Sequence, residues 1–277
     1  MIRRLVPMFV GVIALALVAC EAPVASPTAT PAPVTTATPV PPTPTPTAVP
    51  TPTPLPVAAP AAAALAESMR AALEAAGSFH VDMALDMTVT AQGLTLEVPF
   101  KFDGDFQAPD KMRGSLSASV LGFSIDTEFV QIGETSWFKD PQTGTWQTTT
   151  GTEGIAPFSP ADFLGDEFLA SEDSPIKDLA LVGTENLSGT QVWHYAATIP
   201  ATELDLKGGD FKFDMYVGVA DRLPRKITMT GEVDLGEAGG SKEPSQLPLP
   251  TGPAKFDMVM TLSKFGEPAA ITPPPGF

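Results

Sequence analysis

From residue 79 onward, apolar and polar residues alternate with a period of two along most of the chain. The first run carries its apolar side chains at Phe79, Val81, Met83, Leu85, Met87 and Val89. Comparable runs lie at 94–102, 111–120, 123–132, 179–184, 190–199, 211–219, 227–235 and 256–262, and Trp137 and Trp146 flank a further turn. Turn signals such as Gln92-Gly93 separate them. Turn-linked alternating runs predict an antiparallel meander of about ten strands with one dry face and one wet face.

Two segments follow the helical period instead. Apolar residues at three- and four-residue spacing predict a helix over 61–77, which ends at Gly77. A capping serine, a proline and an acid at 159–162 predict a second helix over 159–170. A sheet of about ten strands curls because strands twist. The predicted fold class is therefore mainly β with α (α+β): a single curved antiparallel half-barrel sheet, with two or three helices covering its concave face.

The predicted dry face is larger than two or three helices can cover, which favours a cavity, the usual form of a small-molecule site. Methionine recurs on that face, and its flexible side chain suits surfaces that adapt to varied apolar partners. The alternative is that these methionines fill an ordinary solid core. The residues predicted to line the cavity are Met83, Leu85, Met87, Leu96, Val98, Phe100, Leu116, Ile125, Met215, Val217, Met229, Met258 and Met260.

The N-terminus has the form of a signal peptide over 1–19. Arg3 and Arg4 precede an apolar stretch that is shorter than the roughly 20 residues of a spanning helix. Small residues before Cys20, the only cysteine, match the lipobox of bacterial lipoproteins. In those proteins the thiol receives a diacylglyceryl group, the peptide is cut before the cysteine, and acyl chains such as palmitate anchor the product. The alternative is an ordinary secretory signal with a chance cysteine at the cleavage site.

These features predict an extracytoplasmic protein that is lipid-anchored to the cell membrane or outer membrane of a bacterium. Residues 20–60 would form the lipidated cysteine and a disordered linker, because 21–60 contain 14 prolines and 10 threonines. Such a segment reaches on the order of 120 Å when extended, either as a stalk or as a flexible tether. The folded lipid-binding domain would then be 61–277.

Charge excludes some partners. Removal of Arg3 and Arg4 with the signal changes the net charge from −16 to −18. Nucleic acids and anionic headgroups need a basic face, so neither fits as a partner bound by charge. Because Cys20 is the only thiol, no disulfide holds the domain.

The sequence offers little catalytic chemistry. It contains no Gly-x-Ser-x-Gly elbow, no P-loop and no dinucleotide glycine pattern. His80 and His194 are distant in sequence, and we expect no acid cluster beside either, hence no zinc site. Asp103-Gly104-Asp105 resembles a fragment of a calcium loop, but a strand-end turn is the preferred interpretation. We therefore expect no enzyme, no cofactor and no metal.

Several short motifs resemble the mycobacterial lipid-carrier lipoproteins of the LppX and LprG type, which in turn resemble the lipoprotein carriers of the Lol system. The motifs extend from the first helix to the tail. They are Gly77-Ser78-Phe79-His80, Gly104 with Pro109-Asp110-Lys111-Met112-Arg113, Ile132-Gly133-Glu134-Thr135-Ser136-Trp137, Trp146, Gly183 and Gly189 before His194-Tyr195, Leu223-Pro224-Arg225-Lys226-Ile227, and Ile271-Thr272-Pro273.

The resemblance implies a curved sheet, a cavity for acyl chains, and transfer of lipids or glycolipids across the envelope. The long Pro/Thr linker departs from the short linkers expected there, which leaves room for a surface-displayed relative with another task. The leading hypothesis is a lipid carrier or acceptor. The alternatives are a stalk-displayed structural or adhesion module with a solid core, and an envelope-stress sensor or enzyme partner. Protein partners cannot be named from the sequence.

Overall fold

The computed structural model describes most of the chain beyond residue 57. The described residues are 58–91, 93–120, 123–150, 174–176, 178–204, 206–235 and 252–277. The signal peptide predicted at 1–19, nearly all of the linker predicted at 20–60 and the helix predicted at 159–170 lie outside them. These assignments stay predictions.

One α-helix and eleven strands make up the regular structure of the described residues, with a 3₁₀ turn at Ala201–Leu204. The helix, α1, covers Ala62–Ala76. The strands are β1 Ser78–Ala91, β2 Leu94–Gln107, β3 Lys111–Val120, β4 Phe123–Ile132, β5 Thr135–Lys139, β6 Trp146–Thr150, β7 Ala180–Leu187, β8 Thr190–Pro200, β9 Asp210–Gly218, β10 Pro224–Asp234 and β11 Pro253–Ser263.

All eleven strands belong to one antiparallel sheet with the order β6-β5-β4-β3-β2-β1-β11-β10-β9-β8-β7. Strands β1 to β6 form one meander and β7 to β11 form a second. The two meanders join in the middle, where β1 pairs with β11. The sheet is open, with β6 and β7 at its two edges. The predicted mainly β fold with one curved antiparallel sheet is confirmed, with eleven strands rather than about ten.

Helix α1 packs through the apolar stripe that its sequence predicts. Leu65 and Met69 are fully buried, and Ala66 is only 1% exposed. Gly77 ends the helix in the left-handed region at φ 69°, and its N–H donates to the Leu73 carbonyl. Strand β1 begins at the next residue, so the helix and the central strand are joined without a loop. Among the described residues, no helix is both long and apolar enough to cross a membrane.

The two faces of the sheet differ as the alternation predicts. Directly paired residues of neighbouring strands share a face, so the register assigns every position. Leu65 and Met69 of α1 belong to one hydrophobic core with Met83 of β1 and Met260 of β11. We call the face packed against α1 the concave face and the opposite one the convex face.

The C-terminal segment 264–277 packs along the end of β1 and onto the convex face. Gly266 donates its N–H to the Ser78 carbonyl at 2.9 Å, and the Ser78 hydroxyl donates to the Glu267 carbonyl at 2.6 Å. Farther along, Ile271 is 5% exposed and packs with Val130 and Trp137 of β4 and β5. The tail therefore links the central strand to the β5–β6 side of the sheet.

A pair of glycines lets two phenyl rings pack flat against the concave face. Gly104 of β2 lies directly opposite Gly114 of β3. A Cβ on Gly114 would lie 2.5 Å from the Asp103 carbonyl oxygen and 2.9 Å from the Phe129 ring. The Phe102 and Phe129 rings stack at 5.7 Å between centroids. The absent side chains thus provide the space that the two rings occupy.

We predict that Gly114→Ala destabilises the domain by about 1–3 kcal/mol, because the added methyl overpacks a filled interior. Gly183→Ala is the matched control: it is also a strand glycine, but a Cβ there would meet nothing within 4 Å. Its effect should be close to zero or slightly stabilising, by at most about 1 kcal/mol. Chemical denaturation of the two variants measures the difference, and equal losses would contradict the packing argument.

Candidate functional site on the concave face

The strand register brings all thirteen predicted cavity-lining residues to the concave face. Met83 pairs with Met260, Leu85 with Met258, and Met87 with Val98. Across the sheet, Met215 of β9 lies opposite Ile227, which itself pairs with Met260. On the other side, Ile125 lies opposite Ala118, the partner of Phe100. A single apolar surface therefore extends from β4 to β9. Whether these residues contact a ligand stays a prediction.

Methionines form a band across the middle of this surface. Met83 lies directly opposite Met260, and Met229 lies directly opposite Met258. Met215 adjoins the band through Ile227. Unbranched thioether side chains change rotamer at low cost and fill irregular spaces. The centre of the sheet is therefore its most adaptable region.

Burial divides the thirteen residues into two groups. Ten of them are at most 7% exposed: Met83, Leu85, Val98, Phe100, Leu116, Ile125, Met215, Val217, Met258 and Met260. The remaining three, Met87, Leu96 and Met229, are half-buried. Phe256, the partner of Met87 on β11, is also half-buried. We call Met87, Leu96, Met229 and Phe256 the accessible patch, because they lie side by side on β10, β11, β1 and β2.

An aromatic pair borders the accessible patch. Phe256 lies opposite Gly231 of β10. The ring of Phe211 packs over that glycine, where a Cβ would approach it to 2.5 Å. Phe211 and Phe256 meet edge to face, with centroids 5.8 Å apart. Both residues fall in apolar runs predicted from the sequence, but sequence reasoning did not include them among the cavity-lining residues. Their contact across Gly231 joins residues of three strands and depends on the pairing of those strands.

The start of α1 is attached to β8 by a buried tyrosine. The Tyr195 hydroxyl donates to the Pro60 carbonyl at 2.8 Å, and Tyr195 is 1% exposed. Burial raises the pKa of Tyr195 above its ordinary value, and the positive charge of Arg222 lowers it in part. The guanidinium of Arg222 lies 4.1 Å from the centroid of the neighbouring Trp193 ring. Helix α1 thus leads from a contact with β8 to the start of β1.

The convex face contradicts one expectation from the sequence. We expected no acid cluster beside either histidine, and both have one. His194 contacts Glu185 through Nδ1 and Asp214 through Nε2, each at 2.7 Å. Its ring stacks on Tyr216 at 4.5 Å between centroids. Burial, followed by the negative charges of Asp214 and Glu185, raises the pKa of Tyr216.

His80 has a comparable acidic surrounding, supplied by β1 and β2. Its Nδ1 lies 2.7 Å from Asp105, and its Nε2 lies 3.4 Å from both Asp82 and Asp103. Asp103 and Asp105 are interior residues of β2, so the strand-end turn expected at 103–105 is wrong. Gly104 continues the strand there because it pairs with Gly114. The signal was present in the sequence: counting outward from the turn predicted at Gln92-Gly93 places His80 opposite Asp105 and Asp82 opposite Asp103, as the register shows.

Comparison with solved structures gives matches of low identity over about three quarters of this chain. LprF from Mycobacterium bovis is 15% identical with a TM-score of 0.46, over 77% of this chain and 96% of that chain. LppX from Mycobacterium tuberculosis is 17% identical with a TM-score of 0.40, over 76% and 97%. A LolA superfamily protein from Nitrosomonas europaea is 12% identical with a TM-score of 0.27, over 74% and 93%.

No family model matches the chain, and no curated protein matches it. The solved structures include LppX and a LolA superfamily protein, the kinds of protein that the sequence motifs resemble. The identities of these matches do not exceed 17%, and their TM-scores do not exceed 0.46. The function proposed below therefore rests on the residues of this chain.

We predict that Tyr195→Phe lowers the free energy of unfolding by about 1 kcal/mol, because the Pro60 carbonyl loses its donor. Since the pKa of Tyr195 is raised in the fold, its contribution is present below pH 10 and is lost as the pH rises past the raised value. Tyr216→Phe is the control, because it keeps its ring on His194 and has no recorded hydroxyl hydrogen bond among the described residues. Denaturation at pH 7 compares the two, and similar losses would contradict the assigned role of the Tyr195 hydroxyl.

Proposed function

We propose that the chain is a membrane-anchored extracytoplasmic lipoprotein that binds the acyl chains of a lipid or glycolipid on its concave face. It would act as a carrier or acceptor rather than as a catalyst. One observation carries the proposal: a continuous apolar surface crosses the sheet, has a methionine band at its centre, and is partly accessible at one end. Charge agrees with this, because an acidic chain would contact lipid through apolar area rather than through headgroup charge.

Burial of methylenes supplies the driving force. Each methylene removed from water contributes about 0.8 kcal/mol, so a 16-carbon chain gains on the order of 12 kcal/mol. Ordering the lipid and the side chains that contact it offsets part of this gain.

The accessible patch is the proposed entry point. Met87 and Met229 are half-buried there, and the buried Met258 lies next to both on the same face. An acyl chain that enters at the patch would displace methionine side chains into alternative rotamers. Binding would then open space within the packed methionine band rather than fill a preformed hollow.

The second candidate function is a stalk-displayed structural, adhesion or envelope-sensing module without a lipid ligand. It is favoured by the low exposure of ten of the thirteen predicted cavity-lining residues, because side chains in a closely packed core are excluded from solvent. The two functions differ in whether the concave face accepts hydrocarbon, and this difference can be measured directly.

We predict that lipid co-purifies with the full chain carrying Cys20→Ala, which lacks an acyl anchor of its own. Detergent-free purification, organic extraction and mass spectrometry would detect it. Met229→Lys should reduce the lipid content at least about tenfold, because it places a charge beside the acyl chain. Thr230→Lys is the matched control: it adds the same charge at the next residue, on the convex face opposite Asp257.

Folding is checked by the melting temperature of each variant. Met229→Gln, a smaller change of polarity, replaces Met229→Lys if that variant does not fold. Absence of extractable lipid, together with no rise of melting temperature when fatty acid or phospholipid is added, would support the solid-core module instead. Equal loss of lipid in both lysine variants would place the lipid away from the concave face.

A separate prediction concerns the anchor. Cys20→Ala should release the protein from the membrane, because the proposed acyl anchor is attached through this cysteine. Stable anchoring needs two or more acyl chains, and the variant lacks the thiol that would carry them. Fractionation and metabolic labelling with an alkyne analogue of palmitate would compare the variant with the unaltered chain. Continued membrane association of Cys20→Ala would contradict lipidation at this residue.

A further inference from the structure

One imidazole and three carboxylates meet where β1 and β2 pair on the convex face. We propose that this group, composed of His80, Asp82, Asp103 and Asp105, is a binding site for a divalent metal ion of the zinc type. The ligands would be Nε2 of His80 and one carboxylate oxygen each from Asp82 and Asp103. These three ligand atoms all lie within 4.8 Å of one another.

The histidine is held as metal-binding histidines commonly are. His80 is 7% exposed, although it lies on the face that the alternation makes polar. Its Nδ1 lies 2.7 Å from Asp105, directly opposite on β2. A carboxylate that accepts a hydrogen bond from Nδ1–H fixes the tautomer and leaves the Nε2 lone pair free for a metal. The buried ring therefore presents Nε2 toward Asp82 and Asp103.

The distances fit a small divalent ion. Two ligand atoms about 2.0–2.1 Å from a tetrahedral Zn²⁺ are about 3.3–3.4 Å apart. Nε2 lies 3.4 Å from the nearest oxygen of Asp82 and 3.4 Å from that of Asp103. Both carboxylates can adjust, since the side chains of Asp82 and Asp103 are 58% and 63% exposed. Their exposure also leaves a fourth position open to water or to a further ligand.

The charge of the site favours a cation. Three carboxylates surround one imidazole, and all of their recorded ion pairs within the described residues are with His80. Even a protonated His80 would leave an excess of two negative charges. One nitrogen ligand beside two carboxylates suits Zn²⁺ better than Ca²⁺ or Mg²⁺, which prefer oxygen ligands alone.

The second histidine provides an internal comparison. His194 also lies between two carboxylates on the convex face, but both of its nitrogens contact them at 2.7 Å. No nitrogen lone pair is left for a metal while both contacts are made. The two histidine groups share composition and face, and they differ in whether one ring nitrogen is available.

The test uses the full chain with Cys20→Ala, purified without a histidine tag, so that neither a thiol nor a tag binds metal. We expect one Zn²⁺ per chain by calorimetry and by elemental analysis after dialysis, with weaker binding of Ca²⁺ and Mg²⁺. Co²⁺ should give a visible absorption band that Zn²⁺ removes. Zn²⁺ should also raise the melting temperature, because it binds the folded state.

Asp82→Asn and Asp103→Asn should each weaken Zn²⁺ binding by at least about tenfold, and both residues are exposed enough that the fold should persist. Asp105→Asn should weaken it by about 10–100-fold through the orientation of His80. His194→Gln should leave binding unchanged. Absence of one-to-one binding, Zn²⁺ binding by Asp82→Asn and Asp103→Asn as tight as by the Cys20→Ala parent, or a loss of binding in His194→Gln would overturn the proposal.

Discussion

The register of β1 against β2 and β11 determines which chemistry each face of the domain presents. β1 is the central strand, and it pairs along ten positions with β11 and along fourteen with β2. A shift of one residue would move every side chain of a strand to the opposite face. It would expose Met83 and Leu85 to solvent and place Asp82 in the core. Burial of that apolar set therefore fixes the register strongly. The same register places the polar residues between them on the convex face.

Helix α1 extends this constraint to the concave face. It enters β1 directly through Gly77, and Tyr195 of β8 holds its other end. Leu65 and Met69 pack into the same core as the methionine band. The helix therefore covers the unbranched methionine side chains of the concave face. The proposed lipid binding requires these side chains to repack without loss of strand pairing.

Local pattern predicted most of the fold. The period-two runs gave the strands, and the spacing of Leu65 and Met69 with Gly77 as a stop gave α1, because each depends on residues close in sequence. The tail contacts and the aromatic pair Phe211–Phe256 could not be predicted, because they join residues distant in sequence. The His80 group lies between these cases. Its residues are scattered along the chain, and only the pairing register of β1 against β2 brings them together.

The two proposed sites are physically separable although they share β1. Asp82 and Met83 are neighbours in sequence, but they point to opposite faces of the sheet. A substitution at Asp82 removes a charge from a solvated side chain, whereas one at Met229 acts within the apolar interior. Backbone hydrogen bonds of β1 to β2 and β11 remain in both cases. Loss of metal binding with retained lipid, or the reverse, would therefore identify each face with its own ligand, and joint loss would indicate damage to the sheet.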